Sequence, residues 1–289
     1  GVKLRKVNEA GEGVAARFSV VPKIYDTRFN EYVQRGATII GTTSEYNVYD
    51  LTDVIRAINY YIANEEYLSS TKPVEIHFYE TNTEKQYIKN TDNWILYYWP
   101  NSQKFVGSSS SSSYSFDEDT LTVTCVNKLI PITLSLRKVD QYNSPLKGAI
   151  FSIKPNGTLE GVSDDEITVD MTEFTEKTVS LPWADSYTIT EVKAPNGYIT
   201  SLHEWQFPYG QRSVTVKREE FTKETDRQGN TIRLYNSIEW YNMSAAVVKI
   251  KKVGTDGKPL DATFSISQSG SEKNTVEVKA ENGGVGIID

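Results

Sequence analysis

The sequence predicts an all-β chain built from tandem β-sandwiches, with one helix inserted in the first sandwich. Three observations predict it: strands that alternate apolar and polar residues, a unit of strands that recurs along the 289 residues, and turn residues between the strands. The alternation is clearest in residues 2–6, 132–138 and 248–252, where each apolar face ends on a lysine. Burying an ammonium costs several kcal/mol unless it is paired or loses its charge, so three lysines in matching places indicate chemistry.

Each of these lysines opens a unit of similar pattern. Each is followed eight residues later by an apolar residue, and four or five residues after that by a phenylalanine. The three sets are Lys6, Val14 and Phe18; Lys138, Leu146 and Phe151; and Lys252, Leu260 and Phe264. Polar turns such as residues 255–257 separate the two strands. We therefore predict domains at 1–130, 131–243 and 244–289, the last of them only the opening half of a third unit.

Two further positions recur in the first two units. A middle strand ends its apolar face on a glutamate, Glu80 or Glu191, and a later strand ends on an asparagine, Asn127 or Asn236. The glutamate and the asparagine lie 47 residues apart in the first unit and 45 in the second. In each of the two units, therefore, the apolar face of one strand ends on a lysine, that of a second strand on a glutamate and that of a third on an asparagine.

A helix accounts for the greater length of the first unit between its lysine and its glutamate. Residues 50–67 place apolar side chains such as Val54 and Ile58 at helical spacing. Asp50 is the expected N-cap. This helix is either an ordinary cover for the first sandwich or a binding element. Six serines at 108–113 are expected to form an exposed flexible loop.

A lysine, a glutamate and an asparagine that share a core can form an amide bond without help. An apolar core lowers the pKa of a lysine and raises that of a carboxyl group, so the amine becomes a neutral nucleophile and the acid stays protonated. The acid polarises the carboxamide and passes its proton to the departing ammonia. The alternative is a plain buried ion pair with a hydrogen-bonded asparagine. The predicted sets are Lys6, Glu80 and Asn127 in the first unit and Lys138, Glu191 and Asn236 in the second.

Two neighbouring residues are not expected to react. Asn242 follows a Trp-Tyr pair beyond the matched segment, and Lys3 has the wrong strand parity to replace Lys6. Crosslinks at either residue would mean that the predicted strand phase is wrong.

Composition argues against several classes of function. The net charge of −7, with acids and bases interspersed, argues against nucleic acid or an anionic membrane as a partner. One cysteine and two histidines make a Cys/His metal site very improbable, and no cofactor motif is recognisable. Cys125 is in phase with apolar neighbours and is expected to be an inert core thiol. No apolar run approaches a membrane span and no signal peptide is recognisable, so we expect an excised piece of a longer protein.

The second unit resembles a known family. The strings at 138–140, 146–151 and 181–182, and above all Glu-x-x-Ala-Pro-x-Gly-Tyr at 191–198, resemble the Cna B-type (prealbumin-like) domain of Gram-positive surface adhesins and pilins. The resemblance implies a Greek-key, immunoglobulin-like sandwich with a self-formed isopeptide bond. It also implies a structural stalk or pilus segment, extracellular and anchored in a Gram-positive cell wall, rather than an enzyme that turns over a substrate. The implied partners are other pilin or adhesin subunits and, through a sortase, the cell wall.

The match weakens outside the second unit. Residues 82–86 of the first unit replace the Ala-Pro-x-Gly string, and residues 246–289 match the opening half alone. Lys252 is therefore expected to stay uncrosslinked, in a fragment that packs on the second domain or on a neighbouring molecule. Lys23, in Val-Val-Pro-Lys, resembles the pilin lysine that a sortase joins to the next subunit, but Lys154 has the equivalent place in the second unit.

A ligand-binding adhesin head is the competing function. The inserted helix, the serine loop and the aromatic residues at 97–100 would then form a surface of the first unit that binds a host protein or a glycan. A carbohydrate-active enzyme with β-sandwich accessories is a weaker third alternative, because the sequence offers no credible pair of acids for it.

Overall fold

The computed structural model describes residues 1–109, 111–199, 213–244, 248–267, 275–280 and 286–288. Its contacts divide the chain into two compact bodies, whose limits differ from those of the first, second and third units named from the sequence repeat. One comprises Gly1–Ile132 with Phe221–Tyr235, and the other comprises Thr133–Glu220 with Asn236–Asp289. The predicted boundaries at 130/131 and 243/244 stay predictions.

The first unit is a two-sheet sandwich. Its elements are β1 (Lys3–Asn8), β2 (Ala16–Asp26), β3 (Glu31–Gln34), β4 (Thr38–Thr42), β5 (Val48–Asp50), α1 (Thr52–Asn64), β6 (Val74–Thr83), β7 (Trp94–Trp99), β8 (Lys104–Gly107), β9 (Tyr114–Asp117) and β10 (Thr122–Asn127). Strands β5, β1, β10 and β9 form one sheet, and β3, β2, β6, β7 and β8 form the other, with β4 also paired to β2. Strands β1 and β10 run parallel, and the other pairs run antiparallel.

The predicted helix is present but shorter than expected. Helix α1 buries Val54 and Ile58 against the core of the first unit. Its N-cap residue is Leu51, and no side chain caps it. The prediction of Asp50 as the cap is wrong, because Asp50 ends β5 and its carboxylate accepts hydrogen bonds from the backbone and hydroxyl of Thr52 instead.

The second unit repeats the sandwich. One sheet has the order β14, β11, β19, β16, with β18 paired to β19, and the other has the order β13, β12, β15, β17. This architecture confirms the predicted class, all-β sandwiches with a helix inserted in the first. The elements are β11 (Ile132–Asp140), β12 (Ala149–Asn156), β13 (Ile167–Met171), β14 (Glu176–Leu181), β15 (Ser186–Lys193), β16 (Tyr198–Ile199), β17 (Ser213–Lys217), a 3₁₀ turn (Arg218–Glu220), β18 (Thr222–Thr225) and β19 (Thr231–Ser244).

The turn that follows each repeated lysine has the same hydrogen bond in all three units. The carbonyl of the lysine accepts from the backbone N–H eight residues later, at 3.3 Å in the first unit and 2.9 Å in the other two. This geometry explains the regular spacing of the repeat. The pairs are Lys6 with Val14, Lys138 with Leu146 and Lys252 with Leu260.

The described part of the third unit consists of two strand pairs. Strand β20 (Val248–Ile250) pairs with β23 (Gly286–Ile288), and β21 (Ala262–Ser267) pairs with β22 (Thr275–Ala280). Lys252 follows the end of β20 and is exposed. The prediction that it closes an inward face is therefore wrong, because the strand stops before its alternation reaches the lysine.

Candidate crosslinking sites

The first candidate site joins the two sheets of the first unit. Lys6 lies on β1 and Asn127 on β10, and the parallel register places Lys6 opposite Cys125. Asn127 is two residues beyond Cys125, so its side chain lies on the same face as that of Lys6. Glu80 lies on β6 in the other sheet. The structure therefore brings the three predicted residues of this unit together.

All three side chains are removed from water. Lys6 is 0%, Glu80 5% and Asn127 1% exposed. The Lys6 Nζ lies 3.3 Å from Glu80 Oε1. The Asn127 Nδ2 donates to the same Oε1 at 3.0 Å and to Oε2 at 3.1 Å. Glu80 therefore contacts both the amine and the carboxamide, which is the placement that a proton shuttle requires.

Cys125 is a neutral neighbour of the amine. Its Sγ lies 3.4 Å from the Lys6 Nζ, and the residue is fully buried. Burial raises the pKa of the Cys125 thiol, and the charge of Lys6 acts in the opposite direction. A buried protonated thiol is a weak hydrogen-bond partner and a poor nucleophile, in accord with the predicted core thiol.

Sequence reasoning missed two residues of this site. The Thr83 hydroxyl accepts from Asn127 Nδ2 at 3.0 Å, and the backbone N–H of Asn90 donates to Glu80 Oε2 at 2.5 Å. Thr83 ends β6, so its position near the end of the glutamate strand could have indicated it. Asn90 lies in a segment without regular secondary structure, where no periodicity could have pointed to it.

The second candidate site is built on β11, β15 and β19. Lys138 is 0%, Glu191 2% and Asn242 0% exposed. The Asn242 Nδ2 donates to Glu191 Oε1 at 3.0 Å. The Lys138 Nζ donates to the backbone carbonyls of Val139 at 3.0 Å and Trp240 at 2.9 Å. A lysine, a glutamate and an asparagine again share one core.

The register of β11 and β19 reproduces that of the first site. The two strands are neighbours in their sheet, and contacts between them have a nearly constant sequence offset of 102 or 103 residues, so they run parallel. Lys138 is level with Trp240, and Asn242 lies two residues further along β19. In the first site, likewise, Lys6 is level with Cys125, and Asn127 lies two residues further along β10. The contacts are Arg137–Glu239, Lys138–Trp240 and Gln141–Ser244.

Asn236 is not part of this site, and Asn242 takes its place. Both lie on one face of β19, but Asn236 precedes Trp240 by four residues, or about 13 Å along a strand. Asn236 is half-buried, and its Oδ1 accepts from the backbone N–H of Ser237. The structure thus corrects both the prediction of Asn236 and the dismissal of Asn242, because alternation specifies a face and not a position along a strand.

The environment of Lys138 raises the fraction of its amine that is neutral. Burial lowers its pKa from the usual 10.5 to about 8, while the nearby carboxylates Glu191 and Asp140 act against this shift. About a tenth of the amine is then unprotonated at neutral pH, far more than for a free lysine. Lys138 is therefore a competent nucleophile near physiological pH.

The carboxamides of both sites have the same unusual feature. Asn127 Oδ1 and Asn242 Oδ1 are buried and have no hydrogen-bond partner among the described residues. Leaving a buried acceptor unpaired costs about 1–3 kcal/mol, and such atoms concentrate at functional sites. In both residues the glutamate holds the amide nitrogen, which is the atom that must receive a proton to leave as ammonia.

The remaining predicted lysines lie outside the two sites. Lys3 is exposed on β1, as its parity predicted. Lys23 is half-buried within β2, which pairs with β3 on one side and β6 on the other. Of the serine tract, Ser110 lies outside the described residues.

The described residues contain no group of three or more His, Cys, Asp and Glu side chains that could hold a metal ion. Within the same part of the chain, no helix has the length and apolar character needed to cross a membrane.

Residues 132–230 match the family model described as SpaA, a prealbumin-like fold domain. This match confirms the resemblance of the second unit to Cna B-type domains. No curated protein matches the chain.

Solved structures that are similar to this chain have low sequence identity to it. The Bacillus anthracis TIE protein is 15% identical with a TM-score of 0.44, and the match covers 99% of this chain and 42% of that one. The C-terminal fragment of the pilus adhesin SpaC from Lactobacillus rhamnosus GG is 16% identical with a TM-score of 0.39, covering 86% and 98%. A streptococcal ancillary pilin is 14% identical with a TM-score of 0.29, covering 100% and 86%. This chain therefore spans less than half the length of the first of these structures.

Proposed function

We propose that the chain is a structural segment of a Gram-positive surface pilin or adhesin, and that its first two units each lock themselves with a Lys–Asn isopeptide bond. The bonds join Lys6 to Asn127 and Lys138 to Asn242. The observation that carries this proposal is the recurrence of one geometry. In both units a buried lysine lies level with one residue of the last strand, and an asparagine lies two residues further along that strand. The amide nitrogen of this asparagine donates to a buried glutamate.

The chemistry follows from these contacts. The neutral lysine amine attacks the carboxamide carbon, and the C–N bond to the amide nitrogen breaks. The glutamic acid donates its proton to that nitrogen and regains one from the attacking amine, so one ammonia leaves and the acid is unchanged. Folding supplies the orientation that a bimolecular reaction lacks. The buried amine and the carboxamide with its unpaired oxygen are replaced by one neutral amide, in a single event without turnover.

The position of the bonds suits a load-bearing role. Each bond would join the first strand of its unit to the last, and these strands lie side by side in one sheet. Force that enters at one terminal strand passes through the bond to the other, so the rest of the sandwich is not stretched. Such a segment acts outside the cell, in series with other subunits that a sortase joins to one another or to the cell wall.

The intact mass of the purified chain tests the proposal. We expect it to be lighter than the sequence mass by two molecules of ammonia, and each of Glu80→Ala and Glu191→Ala to restore one of them, because the proton shuttle is lost. Tryptic peptides should contain Lys6 joined to Asn127 and Lys138 joined to Asn242. An unmodified mass would exclude the crosslinks, and a loss of one ammonia would restrict them to one unit.

A ligand-binding head formed by the first unit is the second candidate function. A groove of about 420 Å³ beside α1 favours it, with Arg56, Asn59 and Phe105 among its lining residues. Of the aromatic residues predicted to form the surface of a head, Tyr98 is only 1% exposed, whereas Tyr97 is half-buried and Trp99 is exposed. An array of glycans and matrix proteins, probed with the wild type and with Arg56→Ala, separates the two functions. A stalk segment binds nothing on it, whereas a head binds a ligand and loses it in the variant.

A further inference from the structure

Asn90 is a buried polar residue in a segment without regular secondary structure. It lies between β6 and β7 and is 8% exposed, whereas the next three residues are exposed. Connecting segments usually run over the surface, so a buried asparagine within one needs partners for its amide and its backbone. The partners of Asn90 include two residues of the first crosslinking site.

Asn90 holds one carboxylate oxygen of Glu80, the proposed proton shuttle, by a hydrogen bond. Its backbone N–H donates to Glu80 Oε2 at 2.5 Å. Its Nδ2 lies 3.6 Å from Cys125 Sγ, the atom that Lys6 Nζ contacts at 3.4 Å. Its Oδ1 accepts from the backbone N–H of Asp92 at 2.9 Å, which stabilises the local turn. Because Asn90 holds Oε2 of Glu80, the other oxygen, Oε1, remains directed toward the Lys6 amine, 3.3 Å away.

The same segment borders two cavities that also reach the reacting groups. Cavities of about 260 Å³ and 170 Å³ flank it. Asn127 lines the larger and Glu80 the smaller, and residues 89–92 line both. The contacts of Asn90 with Glu80 and Cys125 hold this segment against the buried pair.

We propose that Asn90 is a positioning residue of the first-unit crosslink, which holds Glu80 in the orientation that joins the Lys6 amine to the Asn127 carboxamide. This inference rests on the proposed function. The first unit lacks the Ala-Pro-x-Gly string that follows Glu191 in the second, and Asn90 provides a hold on its glutamate from a later segment. A displacement of a reacting group by about 1 Å can slow a reaction by about 100-fold.

The test follows both bonds during synthesis of the full chain. Cell-free translation is quenched with acid at timed intervals, and the crosslinked peptides are quantified by mass spectrometry. Asn90→Ala keeps the backbone N–H that contacts Glu80 but removes the side-chain contacts with Asp92 and Cys125 that hold this backbone in place. We therefore expect the Lys6–Asn127 bond to form more slowly, by on the order of tenfold or more. The Lys138–Asn242 bond should form at the wild-type rate, so it serves as an internal control for the rates of synthesis and folding.

Two further variants separate positioning from a general structural effect. Asn90→Ser retains an oxygen that can accept from the N–H of Asp92 and is expected to recover most of the rate. Asn93→Ala, in the same segment, removes contacts with His77 and none with Glu80, and is expected to leave the rate unchanged.

The outcomes that overturn the inference are distinct from one another. A wild-type rate in Asn90→Ala overturns the positioning role alone. Equal slowing in Asn90→Ala, Asn90→Ser and Asn93→Ala also overturns it, since the segment would then matter only for folding. A wild-type chain that never forms the Lys6–Asn127 bond overturns the first-unit crosslink and the positioning role together.

Discussion

Replacing Asn242 with alanine is expected to lower the free energy of unfolding of the second unit by about 4–5 kcal/mol. The Lys138–Asn242 bond closes a loop of about 100 residues, and by analogy with a disulfide a covalent link across such a loop removes that much chain entropy from the unfolded state. For a domain of this size each kcal/mol corresponds to about 4–8 °C in melting temperature. Thermal and guanidinium unfolding of the full chain, with intact mass measured on the same sample, provides the measurement.

Asn236→Ala is the matched control for this prediction. Asn236 is the other asparagine on the same face of β19; it is half-buried, and its Oδ1 accepts a local hydrogen bond from the backbone N–H of Ser237. We expect Asn236→Ala to retain both losses of ammonia and to change the free energy of unfolding by less than about 1 kcal/mol. If Asn236→Ala, rather than Asn242→Ala, restored the mass of one ammonia, the placement of the second site would be refuted.

The difference between these two asparagines shows what alternation can and cannot predict. A strand has a period of two, so the pattern placed Lys138, Glu191 and Asn236 on inward faces, and Asn242, six residues after Asn236, shares its face. The position along the strand depends on the parallel register between β11 and β19, which neighbouring residues in the sequence do not determine. Asn236 was predicted because its separation from Glu191, 45 residues, is close to the 47 residues between Glu80 and Asn127. The asparagine that contacts Glu191 is Asn242, 51 residues away.

Other differences from the predictions also arise from tertiary contacts. In the alternative of a binding head, the aromatic residues at 97–100 belong to a binding surface, but Tyr98 lies in β7, stacks on Phe105 and donates its hydroxyl to Asn59 on α1. Asn90 is buried against Glu80 and Cys125, which two separate strands, β6 and β10, bring beside it. Local periodicity carries no information about such long-range partners.

The unlinked Asn242→Ala chain is expected to become more stable as the pH rises from about 8 to about 10.5. In this variant Lys138 remains an amine, and burial lowers its pKa to about 8 in the folded chain against 10.5 when unfolded. Between these values the unfolded chain binds more protons than the folded chain, so the free energy of unfolding increases with pH. The full gain is about 3 kcal/mol, since each unit of pKa corresponds to about 1.4 kcal/mol. Below pH 8 the cost of the buried ammonium is constant.

A double variant isolates this effect from other groups that titrate in the same window. Lys138→Met with Asn242→Ala removes the amine and preserves the apolar volume, so the slope due to Lys138 should disappear while the contributions of the surface lysines and tyrosines remain. The crosslinked wild type should also lack this slope, because its Lys138 nitrogen is a neutral amide in both states. Guanidinium unfolding of the three chains at several values of pH between 7 and 11 measures the difference. Identical slopes in all three would show that Lys138 is not a buried amine with a lowered pKa.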